Sequence, residues 1–352
     1  MPEDSIRIST LDPRDPAQAA AWCRYVDAHA DATPFHSLAW KRAVERTFGH
    51  LSHYLIARRG EVLSGVLPLF EVRSVLAGRM LISVPYATYG GILADDSATA
   101  EALFDRAAGM ARQSGAVTLE LRSIRASVPN ADIVKSHVFF RKPLPERPED
   151  VAGTMPRKAR AAARRAAERG RLTVTFDQNE WYTVWRLYAR SMRRLGSPNY
   201  PMRFFEELVA AFGDQVTIQL VRQADRPVAG LLTLLYKGVV YPYFAGIDER
   251  IDIYGLNNYL YAESMRHGVE CGYREYDFGR TRADNIGGMD FKRFCGFEPR
   301  DLEYQRYVPP GRVAPDLSAG SPRWAAARRV WKSLPLPLTR PLGAWLAKSI
   351  PG

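Results

Sequence analysis

The sequence predicts an α/β (α+β) protein of two like halves, each a mixed, mostly antiparallel sheet flanked by helices. Three observations carry this. The same order of helices, hairpin, strand, long helix and strand occurs twice along 352 residues. Gly65 and Gly230 lie 165 positions apart in matching hairpins, and Gly115 and Gly272 lie 157 apart at the ends of matching helices. Glu120 precedes Asp277 by the same 157 positions, so the pattern reads as an internal duplication. The length suits two domains, and a hydrophobic content of 46% supplies a core for each. The expected domains cover 1–145 and 146–310, joined through "PLPERPEDVAGTMP", with a basic Trp- and Pro-containing tail over 311–352.

In the first half "SIRIST" alternates as a short strand. "DPAQAAAWCRYVDAHA" places Asp15 as N-cap and Pro16 at the first helical position, where its missing N–H is no loss. "SLAWKRAVERTFG" is a helix capped by Ser37 and stopped by Gly49. "YLIARRGEVLSGVLPLFEVRS" reads as two strands turning at Arg59-Gly60. The strand "RMLISVP" leads into the loop "YATYGGILADD"; a helix over 97–114 ends at Gly115, and "AVTLELRSI" closes the set as a strand.

The second half repeats this. Helices span 179–194 and 202–212, and "TIQLVRQADRPVAGLLTLLY" is a hairpin turning at Asp225-Arg226. "VVYPYFAGID" follows, then the helix "LNNYLYAESMRHGVEC", stopped by Gly272, then the strand "REYDFG". Beyond it a Gly-rich stretch with Gly287 and Gly288 reads as a loop, and Phe291-Lys292-Arg293-Phe294 as a second compact run, so that 275–299 forms the rim of a site.

Net charge is +11, from 49 basic and 38 acidic residues, which favours nucleic acid, anionic lipid or a phosphorylated substrate as partner. Cys23, Cys271 and Cys295 stand far apart, as expected in a reducing compartment. "MPEDSIRIST" carries neither a basic nor an apolar leader region, and no apolar run reaches membrane-spanning length. The expected location is the cytoplasm. Of six histidines only His50 and His53 are close, with no third ligand near, so no metal site is expected.

The second-half motifs "PRKARAAARRAAERG", "YARSMRRLGSP", "CGYREYDFGRT" and "FKRFCGF" together resemble the FemAB/FemX family, in order, up to about residue 308. "WKSLPLPLTRPLGAWLAK" resembles a FemAB-like subgroup found alongside exosortase and exopolysaccharide systems. The resemblance implies two tandem GNAT-like domains and transfer of an acyl or aminoacyl group to an amine. It implies aminoacyl-tRNA or acyl-CoA as co-substrate, with no tightly bound cofactor. The acceptor it implies is an anionic sugar nucleotide or a lipid-linked cell-envelope or exopolysaccharide precursor. The second half, which carries the motifs, departs from the pattern in lacking the Gln/Arg-x-x-Gly-x-Gly/Ala pyrophosphate loop of ordinary GNAT enzymes, which speaks against simple acetyl-CoA binding. A non-catalytic module that binds tRNA or a sugar nucleotide is the alternative.

The resemblance sets Phe291 and Lys292 at the transfer site, where a fixed cation would stabilise the tetrahedral oxyanion and Phe291 would exclude water; a surface lysine beside a core phenylalanine is the plainer reading. Asp277, costly in an apolar strand unless partnered, either takes the amine's proton or pairs with Arg280 or Arg282, and pairing is preferred. Arg194 matches the Arg-x-Gly that ends the first helix of domain two in the family, where it holds acceptor phosphate. Tyr243, Tyr254 and Asn258 are further acceptor candidates, the last two at a helix start whose free N–H groups suit an anion. Tyr86, Tyr89 and Lys41, with Trp40, are candidates for a facing wall in the first half, with core packing an equal reading for Trp40. Arg157, Arg160 and Arg164 share one helix face, a stripe suited to a phosphate backbone, or equally to plain solvation, while the alanines between them pack inward. The acid-free tail suits the surface of an anionic membrane, giving peripheral contact at its inner face; docking back onto the protein competes. Pro335, Pro337 and Pro341 should keep the tail from being one continuous helix.

Overall fold

The structure, a computed structural model, describes residues 5–315 and 324–351; the first four residues, 316–323 of the expected tail and 352 lie outside it. The chain forms two compact units, one of residues 1–135, 302–318 and 346–352, the other of 136–301 and 319–345.

The first unit runs β1 (Ile6–Thr10), α1 (Pro16–Ala28), α2 (Leu38–Phe48), β2 (Leu51–Ser52), β3 (Leu55–Arg59), β4 (Val62–Leu67), β5 (Phe70–Ser74) and β6 (Gly78–Ile82). It continues with β7 (Leu93–Ala94), α3 (Ser97–Ser114), β8 (Thr118–Leu121) and β9 (Asp132–Val134). Caps expected from sequence are in place. Asp15 accepts from the Ala17 and Gln18 N–H groups and Ser37 from that of Trp40. Gly49 and Gly115 close their helices at φ 66° and 68°, the left-handed region that glycine enters freely. The stretch read as two strands is three: Pro68, with no N–H to give a ladder, ends β4, and β5 joins another sheet.

The second unit holds β10 (His137–Pro143), α4 (Arg157–Gly170), β11 (Leu172–Phe176), α5 (Trp181–Leu195), α6 (Met202–Phe212), β12 (Val216–Gln223), β13 (Arg226–Tyr236) and β14 (Val239–Ile247). α7 (Leu256–Glu270), β15 (Glu275–Arg282), α8 (Ile286–Phe294) and β16 (Pro299–Asp301) follow. The chain then gives β17 (Tyr304–Tyr307) to the first unit before the tail helices α9 (Ala325–Ser333) and α10 (Leu336–Ala347).

Strand order reveals how alike the halves are. The second unit is one sheet, β11-β12-β13-β14-β15-β10-β16. The first has β1-β3-β4-β7 and β2-β5-β6-β8-β17-β9, the same order interrupted after β4. Each half contains one parallel pairing, β6 with β8 from Thr118 onward and β14 with β15 from Glu275 onward. Thr118 and Glu275 differ by the 157 positions that separate Glu120 from Asp277. The expected mixed, mostly antiparallel sheets flanked by helices are therefore what the chain builds. One feature departs from simple succession. β10 leaves the first half to lie beside β15, and β17 leaves the second to lie beside β8. The limit expected at 145 thus falls after a strand that belongs to the second unit. The stretch 286–294, read as loop and compact run, is helix α8: Asn285 accepts the Gly288 N–H as its cap, and Gly287 and Gly288 form its first turn.

Candidate functional site

β14 and β15 pair only at Val239 with Glu275 and Val240 with Tyr276, then part. Past the parting point stand Tyr241 and Tyr243 on one strand and Asp277 on the other. Asp277 is fully buried. Its carboxylate accepts the Gly279 N–H at 2.8 Å and lies 3.8 Å from the guanidinium of Arg141, its register partner on β10. Arg141 also forms an ion pair with Glu275 at 2.8 Å. Burial, with the Asp277 charge adding to it, raises the pKa of the Tyr241 hydroxyl. Of the partners expected for Asp277, Arg282 makes a two-pronged bond to Asp284, and Arg280 stands past the bulge, opposite Phe139.

Between Phe139 and Arg141 the ladder slips, so that Phe278 and Gly279 bulge, with Gly279 at φ 69°. Three carbonyl oxygens of this bulge converge on one group. The Lys292 ammonium donates to Phe278 O at 2.6 Å and to Gly279 O and Arg280 O at 3.1 Å each. It lies over the Phe140 and Phe278 rings, and burial pulls its pKa down to about 7 against the opposing pull of Asp277. The expectation that this ammonium serves the oxyanion meets a correction: an ammonium has three hydrogens, and all three are committed to the strand. Lys292 braces the bulge. Phe291 packs by its edge on Phe278 and is tilted against Tyr261 of α7.

Sequence reasoning missed two basic residues here, Arg141 and Lys142. Lys142 is half-buried with its ammonium over the Phe297 ring, donates to Thr154 and to Cys295 O, and is pulled down to about 8 by burial. The alternation in "HVFFRKP" announces a strand, but nothing in it says which sheet receives the strand.

Helix α7 separates this cluster from an open groove. Its inner face sends Asn258 to the Cys295 thiol and Tyr261 onto Phe278. Asn258, expected at an acceptor, is thereby buried with its amide on the Cys295 thiol. Its outer face, Tyr259, Ala262 and Glu263, lines a groove of about 800 Å³ whose other wall is α4, with Arg157, Lys158, Arg160, Arg164 and Arg165. A second cavity of about 440 Å³ continues past Arg165 to Arg169, Asp252 and Tyr254. The alanines of α4 pack inward as expected, against α7 and, through Ala159, into the core cluster with Phe140, Val240 and Tyr276 of the sheet. Ala162 approaches Gly255 so closely that an added Cβ would stand 2.2 Å from the Ala162 carbonyl oxygen. The expected stripe Arg157, Arg160 and Arg164 is exposed along this groove.

The remaining candidates scatter. Arg194 is exposed in the last turn of α5, and Tyr243 is half-buried against Phe244. In the first unit Tyr86, Tyr89, Lys41 and Trp40 are all buried. The Tyr86 hydroxyl meets His50 at 2.6 Å and Lys41 bonds Glu45 at 2.7 Å, so the polar ends of both are engaged within the first unit. Among the described residues no His, Cys, Asp and Glu cluster could hold a metal ion, and no helix is long and apolar enough to cross a membrane.

Residues 155–293 match the family model described as an acetyltransferase (GNAT) domain. The chain is similar in structure to FemX, with TM-score 0.63 and 13% identity over 86% of this chain and 97% of that one. It is similar to a tandem GNAT protein from the clavulanic acid biosynthesis pathway, at TM-score 0.57 and 12% identity over 86% and 98% of the two chains. It is also similar to L-PGS from Bacillus licheniformis, at TM-score 0.56 and 13% identity over 94% and 96%. No curated protein matches the sequence.

Proposed function

We propose that this chain, a tandem GNAT protein with the FemX fold, transfers an acyl or aminoacyl group from a polyanionic donor to an amine. The observation that carries the proposal is the row of five cations along α4 beside the open groove, inside the stretch that matches the GNAT model. A phosphate backbone is a line of charges, and a helix presenting arginine at successive turns meets several at once. That favours aminoacyl-tRNA over acyl-CoA, whose charges sit at one diphosphate and one further phosphate. In the reaction the unprotonated amine attacks the ester carbonyl. The C–N bond forms, the C–O bond to the ribose breaks, and the departing oxygen takes the proton that nitrogen sheds. Asp277, tied to Arg141, is no free base, so the amine loses its first proton to solvent. Phe291 and the rings around it keep water from the ester, and Lys292 holds the bulge in shape. Arg194, Tyr243, Tyr254 and Arg280 are the residues proposed to meet the acceptor, an anionic cell-envelope or exopolysaccharide precursor, sugar-nucleotide- or lipid-linked.

A second reading, a module that binds tRNA or a sugar nucleotide without chemistry, draws on the finding that Lys292 and Asp277 both have structural partners. The two separate in one assay: tRNA charged with a labelled amino acid, an amine-bearing acceptor, and mass spectrometry of the acceptor. Transfer of the label supports the enzyme. Binding of the tRNA with ester loss no faster than in buffer supports the module, and acetyl transfer from acetyl-CoA reassigns the donor.

A further inference from the structure

Helix α10 is turned inside out. Its small and polar side chains are buried: Thr339 and Ala347 are each 1% exposed, and a Cβ at Gly343 would stand 2.4 Å from Asn199 Oδ1. Its large apolar side chains face solvent, with Leu338 52%, Leu342 45% and Trp345 62% exposed. Spacing of four and then three residues puts them on one helix face. Folding alone favours the reverse, and such a row of exposed apolar groups marks a surface that meets something. On α9, Val330 is 59% exposed beside the exposed Arg329 and Lys332.

A cluster of guanidiniums lies beneath the opposite, inward side of α10. Arg190, Arg226 and Arg250 all bond the single buried carboxylate of Asp248, at 3.2, 2.9 and 2.7 Å. Burial lowers the pKa of Arg190, and the nearby charges of Arg250, Arg186 and, from α10 itself, Arg340 lower it further. Arg340 lies over the Trp185 ring, 5.2 Å from its centroid, which ties α10 to the same cluster. Two acids, Asp248 and Glu249, against five guanidiniums leave the cluster a positive excess, and residues 324–351 contain no acid.

We infer that this surface anchors the protein peripherally on a bilayer containing anionic phospholipid. Leu338, Leu342 and Trp345 enter the boundary of the acyl chains, and the exposed cations of the acid-free tail, Arg329 and Lys332, meet the headgroup phosphates. RNA would match the cations but leave the leucines and the indole in water. A second copy would set like charge against like, and three half-exposed side chains fall well short of the ~800 Å² per partner of a stable protein interface. The inference is independent of the reaction proposed above, since a protein that transfers nothing would bind the same vesicles.

The test is co-sedimentation of the full chain with vesicles of phosphatidylcholine alone, and of phosphatidylcholine with an equal share of phosphatidylglycerol. The wild type is expected to sediment with the mixed vesicles only. The triple variant Leu338→Glu, Leu342→Glu, Trp345→Glu should lose at least about tenfold in partition with an unchanged melting temperature, and Trp345→Ser alone should lose part of it. Arg329→Glu with Lys332→Glu, both exposed, should abolish the preference for the anionic vesicles. Failure of the wild type to sediment with mixed vesicles, or equal binding by the triple variant, overturns the inference. So does a wild-type dimer that the triple variant dissociates, because the face is then an interface between copies.

Discussion

Asp277 on β15 and Arg141 on β10 stand opposite each other in antiparallel register, 3.8 Å apart, and in the first unit Glu120 and Arg306 repeat the arrangement at 3.7 Å. In each case the acid lies on the strand of the parallel pairing and the arginine on the strand received from the other half. The pair therefore ties an exchanged strand to its host sheet. Asp277→Asn keeps the shape and removes the charge from a fully buried site, and is expected to destabilise by about 2–4 kcal/mol. Glu275→Gln, at a half-exposed partner of the same arginine, should cost under about 1 kcal/mol. Chemical denaturation of both variants checks this, and equal losses would contradict it.

Lys292 carries a pH signature. Burial sets it at about 7 in the folded chain, while the unfolded chain titrates it in the usual lysine range. Between those limits the unfolded chain holds the extra proton, so stability should rise with pH above about 7 and be level below. The stability of wild type relative to Lys292→Met should climb through this window at up to about 1.4 kcal/mol per pH unit. A level difference from pH 7 to 10 would mean that the three carbonyls hold the proton and the folded value is not depressed.

Gly255 controls the join of α4 and α7. It sits at φ 82°, and any Cβ would collide with the Ala162 carbonyl. Gly255→Ala combines left-handed strain of about 1 kcal/mol with displacement of backbone against backbone. A lowered melting temperature together with weaker donor binding is expected. Unchanged donor affinity would separate the groove from the function assigned to it.

Arg194 is exposed, so Arg194→Ala should alter stability by less than about 0.5 kcal/mol. Under the acceptor role proposed for it, KM for the acceptor rises while kcat stays near the wild-type value. A fall in kcat with KM unchanged would remove Arg194 from acceptor binding.

The fold was largely legible because helix ends are written locally. Asp15, Ser37, Gly49 and Gly115 each sit where a cap or a left-handed stop is needed, and the repeat in their order exposed the duplication. Helix α8 was missed because two glycines and a Phe-Lys-Arg-Phe run read as loop and strand; the available signal was Asn285 three positions before Gly288. The exchange of β10 and β17 was not legible, since alternation fixes which side chains face inward and says nothing of which sheet a strand joins. That exchange also hid Arg141 as a partner of Asp277. This arginine lies on a strand assigned to the other half, so nearby Arg280 and Arg282 were the natural choices. Lys292 was singled out by the family resemblance, but what surrounds it is backbone, which no sequence motif records.

The central claim is that the cationic face of α4 receives the phosphates of the donor. The most direct measurement is the affinity for charged tRNA as a function of salt, for wild type and for the variant with Arg157, Arg160 and Arg164 all replaced by alanine. The account predicts a steep linear fall of log K with log salt for the wild type. In the variant the slope should be shallower by about 2–3, since each lost phosphate contact removes nearly one released counterion. Identical slopes for the two proteins, or no measurable tRNA affinity beside tight acetyl-CoA binding, would contradict it.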